Sequence, residues 1–454
     1  MKVVKFGGSS LADGAQFEKV INIITRDADR RVVVPSAPGK RFSGDIKVTD
    51  LFITFAEKTI SGADLSEIKQ TILKRYTDIL DYFKIEDATF VNMLSNELDQ
   101  LNRIHYPSFD YLFAAFTGHG EYFNAQLLAR ILNHLGHPAK FVRPDTIGIV
   151  VNGTPRAAAI VPACYDTMQQ VTLDDQVITV VPGFCAFDAD GLMVTFSRGG
   201  SDITGAILAR GLQADLYENF TDVSAIYTVN PNLVPDPQKI KTMTFREMRE
   251  LSYAGFSVFH DEAILPVIET NVKINVKNTN DPSAPGTMIV PTSAVDEKTV
   301  SPVTGIATDE RFAAIYIHRY LLNKEVGFTL KILEILAKHG VSYEHMPSGI
   351  DDMTIIFDKS LVNEEQIQAV CSEIEETVHP NELDLIPEFA IMMVVGEGMH
   401  VYHNAPAKIL TALSDANINV GMINMGASEI SLMLGIDTHK IYEATKIIYQ
   451  QFFD

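Results

Sequence analysis

A lysine and two adjacent glycines end the first apolar run of the chain, in the stretch KFGGSS. Val3 and Val4 are β-branched and the Gly7–Gly8 pair breaks the run, which predicts a short buried strand ending in a tight turn. The open N–H groups of such a turn, with Lys5, Ser9 and a helix downstream, would form a cradle for phosphate oxygens. The order of the residues fits neither a Walker loop nor GxGxxG. A plain turn with a solvated lysine is therefore the alternative.

A second Gly-Gly pair follows an arginine in MVTFSRGGSDITGAILARG, residues 193 to 211. The pattern predicts a strand, a turn and then a helix capped by Ser201 or Asp202. Arg198, the open N–H groups after it and the positive end of the helix would together suit a carboxylate or a phosphate. An ordinary helix cap is the alternative.

Two other stretches carry polar groups next to predicted turns. FTGHGEYFNAQLLA places Glu121 after two glycines, which predicts an acidic residue at the start of a helix. A favourable interaction with the helix dipole alone is the alternative to a role in a site. NFTDVSAIYTVNPNLVPDPQKI, residues 219 to 240, is a polar loop punctuated by proline. The loop is long enough to surround the base and the ribose of a nucleotide. A long loop without a binding role is the alternative.

The elements that must position these residues alternate along the chain from Lys2 to about Val300. Runs of β-branched residues are separated by helical patterns such as YFNAQLLARILNHLG, which predicts an α/β layer fold with a largely parallel sheet. Ligands of such sheets bind where loops leave the carboxyl ends of the strands, so we expect the glycine-bearing loops there. Residues 280 to 302 are rich in Pro, Ser and Thr and predict the exit from this domain into a linker.

Composition excludes several functional classes. Lys+Arg 37 against Asp+Glu 58 gives a net charge of -21, which argues against a nucleic-acid partner. The sequence has no apolar run of membrane-spanning length and no signal pattern at its start, which predicts a cytoplasmic protein. Cys164, Cys185 and Cys371 lack metal or redox spacing and are expected to be buried thiols. His134 and His137 lie close together at a predicted helix end and are a weak metal candidate.

An internal repeat occupies the last third of the chain. One constant shift superposes RFAAIYI (311 to 317) on EFAIMMV (388 to 394), and residues 331 to 357 on 408 to 434. Each copy predicts strand, loop, helix, strand, turn and strand. Gly340 and Asn417 fall at left-handed helix caps, and Pro406 suits a first helical turn. The repeat predicts two small α+β modules, which serve either as scaffolding or as a sensor of a small molecule.

Together these stretches resemble the aspartokinases, members of the amino acid kinase superfamily, over essentially the full chain. KFGGSS, TGHGEYFNA, FSRGGSDITGAILA, TDVSAIYTVNPNLVPDPQKI and VKNTNDPSAPGT occur in the family order, and the two repeats look like its tandem ACT domains. The resemblance implies a three-layer αβα, carbamate-kinase-like domain with a mainly parallel sheet at residues 1–300. Two ferredoxin-like α+β ACT domains would follow, at 311–381 and at 301–310 with 382–454. A homodimer or a dimer of dimers through the ACT domains, without a fused homoserine dehydrogenase, is also implied.

The reaction implied by the resemblance is phosphoryl transfer from ATP, with Mg²⁺, to the side-chain carboxylate of L-aspartate, giving 4-phospho-L-aspartate. This carboxylate is ionised at pH 7, so no general base is needed. Catalysis then reduces to alignment and charge neutralisation. By resemblance, Lys5 and Asp202 are catalytic, while backbone donors of Gly199 and Gly200 help to neutralise the phosphates. The phosphates would lie on Lys5, Gly7, Gly8 and Ser9.

The resemblance also implies how the two substrates are recognised. Arg198 would take the α-carboxylate of aspartate in a planar fork, and Glu121 with Asp202 would face its ammonium group or orient Lys5. The remaining positions implied are Thr49, Ser201 and the backbone of Phe184 at the aspartate, and Thr221, Asp222 and Tyr227 at the adenine and ribose. The metal ligands are left unassigned.

Two positions depart from the common family pattern. Where many members carry a lysine in AKVLHP and an arginine after TTDP, this chain has Ser257 and Asn232. Two cations near the nucleotide phosphates are thus missing, with Lys239 or Lys241 as candidate replacements. The departure leaves open a catalytically weak amino-acid sensor. A related kinase for another small carboxylate is the second alternative.

The first repeat differs from the second in carrying Ser342 and Glu344 where the other copy has neutral residues. In lysine-sensitive aspartokinases, an acidic residue at the position of Glu344 faces the side-chain ammonium of the effector. The turn that matches Gly327 and Phe328 donates to the α-carboxylate of the effector. The resemblance therefore implies feedback inhibition by lysine, with threonine, alone or with lysine, as the alternative effector. A solvated strand carboxylate is the structural alternative for Glu344.

Overall fold

A computed structural model describes residues 1–197, 199–256, 261–296 and 300–454. The α-helices among them are α1 (Gly14–Thr25), α2 (Val48–Ser61), α3 (Ser66–Tyr82), α4 (Ala88–Leu101), α5 (Phe109–His134), α6 (Cys164–Met168), α7 (Gly200–Gly211), α8 (Phe245–Tyr253), α9 (Leu265–Ile268), α10 (Phe328–Lys338), α11 (Glu364–Val378), α12 (Ala405–Asp415) and α13 (Ile441–Phe453). The strands are β1 (Lys2–Phe6), β2 (Arg30–Pro35), β3 (Ala139–Phe141), β4 (Val151–Thr154), β5 (Ala157–Ile160), β6 (Ile178–Val180), β7 (Cys185–Phe187), β8 (Met193–Thr195), β9 (Leu216–Thr221), β10 (Thr242–Thr244), β11 (Lys273–Asn278), β12 (Thr287–Val290), β13 (Gly305–His318), β14 (Asp352–Asp358), β15 (Glu382–Val395), β16 (Val420–Asn424) and β17 (Ser431–Ile436). None of the described helices combines the length and apolarity of a membrane span.

The chain divides into two compact units. The first contains Met1–Ile226, Lys239–Met248 and the described part of 257–295. The second contains Tyr227–Gln238, Arg249–Phe256 and the described part of 296–454.

An eight-stranded sheet forms the centre of the first unit, in the order β10-β12-β11-β9-β1-β2-β6-β3. The strand pairs from β11 through β9, β1, β2 and β6 to β3 are all parallel. The pair β11 and β12 is antiparallel. The predicted largely parallel sheet is confirmed, and its β-branched runs are buried because helices cover both faces.

The alternation of side chains along β1 shows how the layers are arranged. Val4 and Phe6 belong to a hydrophobic core that also includes residues of α1 to α5. Because successive side chains of a strand point to opposite faces, Val3 and Lys5 face the other layer. That layer contains α7, which packs against β1. The strand thus delivers a single lysine to the α7 side of the sheet.

The predicted linker at 280 to 302 is partly wrong. Within it, Thr287–Val290 form β12, which pairs with β11 and β10. The side chain of Thr287 is fully buried and its hydroxyl donates to the Ile240 carbonyl at 2.6 Å. The segment TMIV is therefore a strand of the sheet of the first unit. It was predicted as linker because Pro and Ser residues surround these four positions.

The second unit contains a five-stranded antiparallel sheet in the order β14-β13-β15-β17-β16. The first part of β13, from Gly305 to Asp309, pairs with the end of β15. The second part, from Phe312 to His318, pairs with β14 and with the start of β15. Both copies of the repeat therefore share one sheet.

The local signals of the repeat are confirmed in both copies. Gly340 and Asn417 have positive φ angles of 68° and 57° after α10 and α12, and Pro406 lies in the first turn of α12. The second strand, which follows the helix, differs between the copies. The second copy forms β16, whereas the first makes isolated bridges at His345 and Ser348. Each copy has its own core, one around α10 and α11 and the other around α12 and α13.

Of the three predicted buried thiols, Cys164 and Cys185 are buried, whereas Cys371 is half-buried. Within the described residues, no three His, Cys, Asp or Glu side chains come together as a metal site. His134 is the last residue of α5, as predicted, and His137 follows the helix.

Candidate functional site

Lys5 lies near the carboxyl end of β1 and is only 8% exposed. Its Nζ is 2.6 Å from Oδ1 of Asp202 on α7, and 3.4 Å from Oδ1 of Asn219 on β9. The Asn219 amide donates to the same Asp202 oxygen at 2.7 Å. Lys5 is therefore not a solvated turn residue. A lysine, a carboxylate and an amide from three neighbouring elements converge at one edge of the sheet.

Gly8 after β1 and Gly39 after β2 allow two loops to touch. A Cβ on Gly8 would lie 2.9 Å from the Ala37 carbonyl oxygen, and one on Gly39 would lie 2.6 Å from the Gly8 carbonyl carbon. Moreover, the Gly39 N–H donates to the Gly8 oxygen at 2.8 Å. Since such short separations exclude a side chain, the loops after β1 and β2 meet as bare backbone. Ser9 is exposed on the short 3₁₀ helix that follows Gly7.

The start of α7 is held by the loop that contains Phe184. Gly199, at φ 74°, is the N-cap residue, and no side chain caps the helix. The predicted caps Ser201 and Asp202 are therefore wrong, since both lie inside the first turn. A Cβ on Gly200 would come within 2.5 Å of the Phe184 ring, and one on Gly183 would come within 2.6 Å of the Ser201 hydroxyl oxygen.

Phe184 itself adopts a left-handed conformation, at φ 64°. This conformation is uncommon for a bulky residue and is found mostly where the surroundings over-determine it. Its N–H donates to the Thr204 hydroxyl at 3.1 Å, and that hydroxyl in turn donates to the Gly200 carbonyl at 3.0 Å. The backbone of Phe184 is thus fixed next to the start of α7.

Arg198 and Ser257 lie outside the described residues. The structure places the immediate neighbour Gly199 at the start of α7.

Glu121 lies in the middle of α5 and not, as predicted, at the start of a helix. The helix begins after Ser108, whose side chain accepts from the Tyr111 N–H. Gly118 and Gly120 read as helix breakers in the sequence, yet they are needed inside the helix for close packing. A Cβ on Gly118 would be 2.7 Å from Met193 Sδ, and one on Gly120 would be 3.0 Å from the Ala37 Cβ.

The carboxyl group of Glu121 is buried with little compensation. The residue is 6% exposed, and its Oε2 has no hydrogen-bond partner among the described residues. Burial raises the pKa of Glu121 to about 8, although a hydrogen bond from the Ala37 backbone and the nearby charge of Lys5 favour ionisation. A buried acceptor with an unsatisfied oxygen is suited to a cationic donor.

Thr49 is half-buried in the first turn of α2. The preceding residue, Val48, has its Cγ1 3.7 Å from the position that a Cβ would take on Gly120. Val48 therefore lies next to Gly120 where α2 packs against α5. Thr49 and Glu121 are the residues that follow these two along the chain.

Two residues that organise this region were not predicted. Asn219 bridges Lys5 and Asp202, as described above. Arg75 on α3 is 4% exposed and donates to the carbonyls of Gly39 at 2.6 Å and Ile46 at 2.7 Å. It therefore holds both ends of the loop that runs from Gly39 to α2. A polar residue two positions before Thr221 was a visible signal for Asn219, whereas Arg75 reads as a solvated helix residue.

The predicted nucleoside positions are only partly brought together. Thr221 ends β9, and its hydroxyl donates to the exposed Asp222 carboxylate at 3.2 Å. Tyr227 and Asn232 belong to the second unit. Lys239 and Lys241, the candidate replacement cations, are exposed in the first unit.

The predicted effector residues lie in the second unit. Gly327, at φ 83°, is the N-cap residue of α10, and Phe328 begins the helix with its side chain buried. Ser342 is exposed and Glu344 half-buried. The Glu344 carboxylate accepts a hydrogen bond from the Tyr253 hydroxyl at 2.6 Å.

Tyr253 also lies beside His345, with its hydroxyl 3.2 Å from His345 Nε2. Burial, together with the hydrogen bond to Glu344, raises the pKa of Tyr253 above its usual range. Glu344 is therefore engaged by a neutral phenol and is not a freely solvated strand carboxylate.

Comparison with known proteins identifies the family. The model of the amino acid kinase family matches residues 1–278, and that of the ACT domain matches residues 392–452. Aspartokinase 3 of Bacillus subtilis is 44% identical over 453 residues, which cover 100% of this chain and 99% of the relative. The chain belongs to the aspartokinases. The fold and family expected from the sequence are thereby confirmed.

Solved aspartokinases share the fold over the whole chain. The aspartate kinase of Clostridium acetobutylicum superposes with a TM-score of 0.86 at 38% identity, with 100% of each chain covered. Aspartokinase III of E. coli, in complex with aspartate and ADP, superposes with a TM-score of 0.81 at 22% identity, again over 100% of each chain. The second likeness concerns the fold alone.

Proposed function

We propose that this aspartokinase transfers the γ-phosphoryl group of ATP to the side-chain carboxylate of L-aspartate, giving ADP and 4-phospho-L-aspartate. The observation that carries the proposal is the convergence of Lys5, Asp202 and Asn219 at the carboxyl edge of the parallel sheet. This edge is where ligands of α/β sheets bind. The full-length relationship to Aspartokinase 3 of Bacillus subtilis supports the choice of substrate.

The chemistry requires two anions to approach each other. The aspartate carboxylate is ionised at neutral pH and attacks without a general base, so the protein must align the groups and neutralise charge. Lys5 is the cation proposed to accompany the transferring phosphoryl group. Asp202 and Asn219 keep its ammonium at one point, which limits the reorganisation needed during transfer.

The glycine turns are proposed to bind the phosphates. Gly7 and Gly8, with Ser9, follow Lys5, while Gly199 and Gly200 open α7. The N–H of Gly7 already donates to the Phe220 carbonyl at 3.0 Å and that of Gly39 to the Gly8 carbonyl at 2.8 Å, so the N–H groups of Gly8 and Ser9 are the donors proposed for the phosphate oxygens. Thr221, Asp222 and Tyr227 are retained as the nucleoside positions, on the basis of the family resemblance.

Aspartate is proposed to bind between Glu121 and Arg198. The buried Glu121 carboxylate, with its unsatisfied Oε2, would accept the α-ammonium group, and Arg198 would hold the α-carboxylate by a bidentate fork. Thr49, Ser201 and the Phe184 backbone complete the proposed site.

Mg²⁺ fits the donor set of this edge. The ion is usually held by one or two carboxylates together with substrate phosphates, and Asp202 is the carboxylate next to Lys5. When bound, the ion would neutralise charge on the phosphates. Since a set of three protein ligands is not required, the described residues are compatible with such a site.

Trapping the product as a hydroxamate tests the proposal. The protein is incubated with ATP, Mg²⁺ and hydroxylamine, with aspartate, glutamate or acetylglutamate as acceptor. Hydroxamate formed from aspartate alone is the expected result. A preference for another acid would favour the related kinase, and no hydroxamate with any acid would favour the amino-acid sensor.

We also propose feedback inhibition by lysine through the first repeat, with threonine as the alternative effector. The N–H groups of the turn at Gly327 and Phe328 would bind the effector carboxylate, for which the Phe328 N–H must leave the Glu325 carbonyl that accepts it at 3.3 Å. Glu344 would bind the side-chain ammonium after Tyr253 releases it. Inhibition is measured with each amino acid in the wild type and in Glu344→Ala. Equal lysine inhibition in both proteins would remove Glu344 from the site, and no inhibition of the wild type would contradict the regulatory role.

The domain boundaries 1–300, 311–381 and 301–310 with 382–454 are retained as proposals, as are a cytoplasmic location and assembly through the ACT domains. Sedimentation equilibrium of the purified chain tests the assembly, for which a homodimer or a dimer of dimers is expected and a monomer would contradict it.

A further inference from the structure

A cavity lies in the first unit, between α4, α5 and the hairpin of β7 and β8. Its volume is about 240 Å³, and none of the residues proposed for phosphoryl transfer lines it. Its polar side chains are those of Glu97 and Gln100 on α4, Tyr106 before α5, His119 and Tyr122 on α5, and Arg143 after β3. Most drug-sized ligands need roughly 300–1,000 Å³, so the space suits a smaller molecule.

The carboxyl group of Glu97 has no described partner for one of its oxygens. Oε2 is shielded from solvent and makes no hydrogen bond within the described chain. Burial raises the pKa of Glu97. A buried carboxyl without a partner is destabilising unless a donor reaches it.

His119 presents a second acceptor to the same space. Its Nδ1 is 2.6 Å from the Ala115 carbonyl, and since a carbonyl only accepts, Nδ1 carries the proton. Burial lowers the pKa of His119 to about 4, so the ring is neutral at pH 7. Its Nε2 is consequently left as a lone-pair acceptor.

The guanidinium of Arg143 already has protein partners. It donates to both carboxylate oxygens of Asp145, at 3.0 and 2.9 Å, and lies 3.9 Å from the centroid of the Phe187 ring. An anionic ligand would therefore have to compete with Asp145. The remaining walls include the rings of Tyr106, Tyr122 and Phe187, and aromatic faces attract organic cations.

We propose that this cavity is a binding site for a small primary ammonium ion with a short alkyl chain, whose nitrogen donates to Glu97 and His119. The two acceptors take two of the three N–H donors of the ammonium group, and the aromatic and aliphatic walls contact the chain. None of the residues proposed for phosphoryl transfer or for aspartate binding lines this cavity.

Ligand-observed saturation-transfer NMR with n-butylammonium at pH 7 tests the proposal on the full chain. The wild type should bind the ion saturably, and n-butanol, which has the same chain without the charge, should bind at least tenfold more weakly. Loss of a hydrogen bond to a charged group is worth roughly 1.5–3 kcal/mol, so Glu97→Gln should raise the Kd by tenfold or more. Glu67→Gln removes an exposed carboxylate from α3 and should leave the Kd unchanged.

A cavity-filling variant keeps the test decisive if Glu97→Gln folds poorly. In Leu192→Trp, Glu97 is unchanged, but the larger side chain on the hairpin of β7 and β8 fills the cavity. This variant should therefore abolish binding. The proposal is overturned by equal affinity for the ion and the alcohol, by an unchanged Kd in either variant, or by no saturable binding to the wild type. Because binding is read without turnover, none of these outcomes depends on the proposed kinase activity.

Discussion

The affinity for aspartate should depend on the ionisation of Glu121. With a pKa of about 8 in the free protein, about one molecule in ten has this carboxyl group ionised at pH 7, and about half do at pH 8. If only the ionised form accepts the ammonium group, the KM for aspartate is divided by that fraction. The KM should therefore fall about fivefold from pH 7 to pH 8.

The assay is hydroxamate formation between pH 6.5 and 8.5 at saturating ATP and Mg²⁺, with KM measured at each pH. Glu121→Gln cannot ionise, so its KM should be higher at pH 8.5 and should lose this pH dependence. Glu57→Gln, an exposed change on α2, is the matched control and should follow the wild type. A flat wild-type profile, or the same slope in Glu121→Gln, would refute the reasoning.

Four further outcomes are expected. Lys5→Ala should lower kcat by about 10²–10³-fold, as loss of a transition-state partner does, and near-normal kcat in single turnovers would remove Lys5 from the chemistry. Arg198→Lys should raise the KM for aspartate, because lysine cannot reproduce a bidentate fork; an unchanged KM would contradict the assignment. Tyr253→Phe frees Glu344 from the 2.6 Å hydrogen bond, so the Ki for lysine should fall about fivefold, whereas an unaltered Ki would show that the hydroxyl does not compete. Gly39→Ala places a Cβ against the Gly8 backbone and should lower the free energy of unfolding by about 2 kcal/mol in urea; Gly421→Ala, where a Cβ would meet nothing closer than 3.8 Å, is the control.

The layer architecture could be predicted because it depends on local patterns. Runs of β-branched residues form the buried strands β1 and β2. Gly340 and Asn417 adopt positive φ angles after their helices, and the preference of these residue types for that conformation can be recognised from the local sequence. β12 was missed since its four residues stand among Pro and Ser, and its position is decided by pairing with β11.

The candidate site was less accessible to sequence reasoning. Lys5 and Asn219 are 214 positions apart and meet only because β1 and β9 are neighbours in the sheet. The role of Lys5 came from a family motif and not from spacing, and Asn219 was not predicted. The local sequence predicts that Gly118 and Gly120 interrupt a helix. In the structure they lie inside the helix and allow close contacts with Met193 and Ala37, which are too far away in the sequence for a local pattern to show. Arg75 was not predicted because its partners, the carbonyls of Gly39 and Ile46, are also distant in the sequence.

The central claim is that the side-chain carboxylate of aspartate attacks the γ-phosphorus at the site of Lys5. Aspartate labelled with ¹⁸O only in its side-chain carboxylate tests this directly, when it is incubated with ATP, Mg²⁺, hydroxylamine and the full chain. Hydroxylamine cleaves the acyl carbon–oxygen bond, so the released phosphate should carry one ¹⁸O per molecule of hydroxamate, and Lys5→Ala should release little of it. Hydroxamate accompanied by unlabelled phosphate, or the absence of both, would contradict the account.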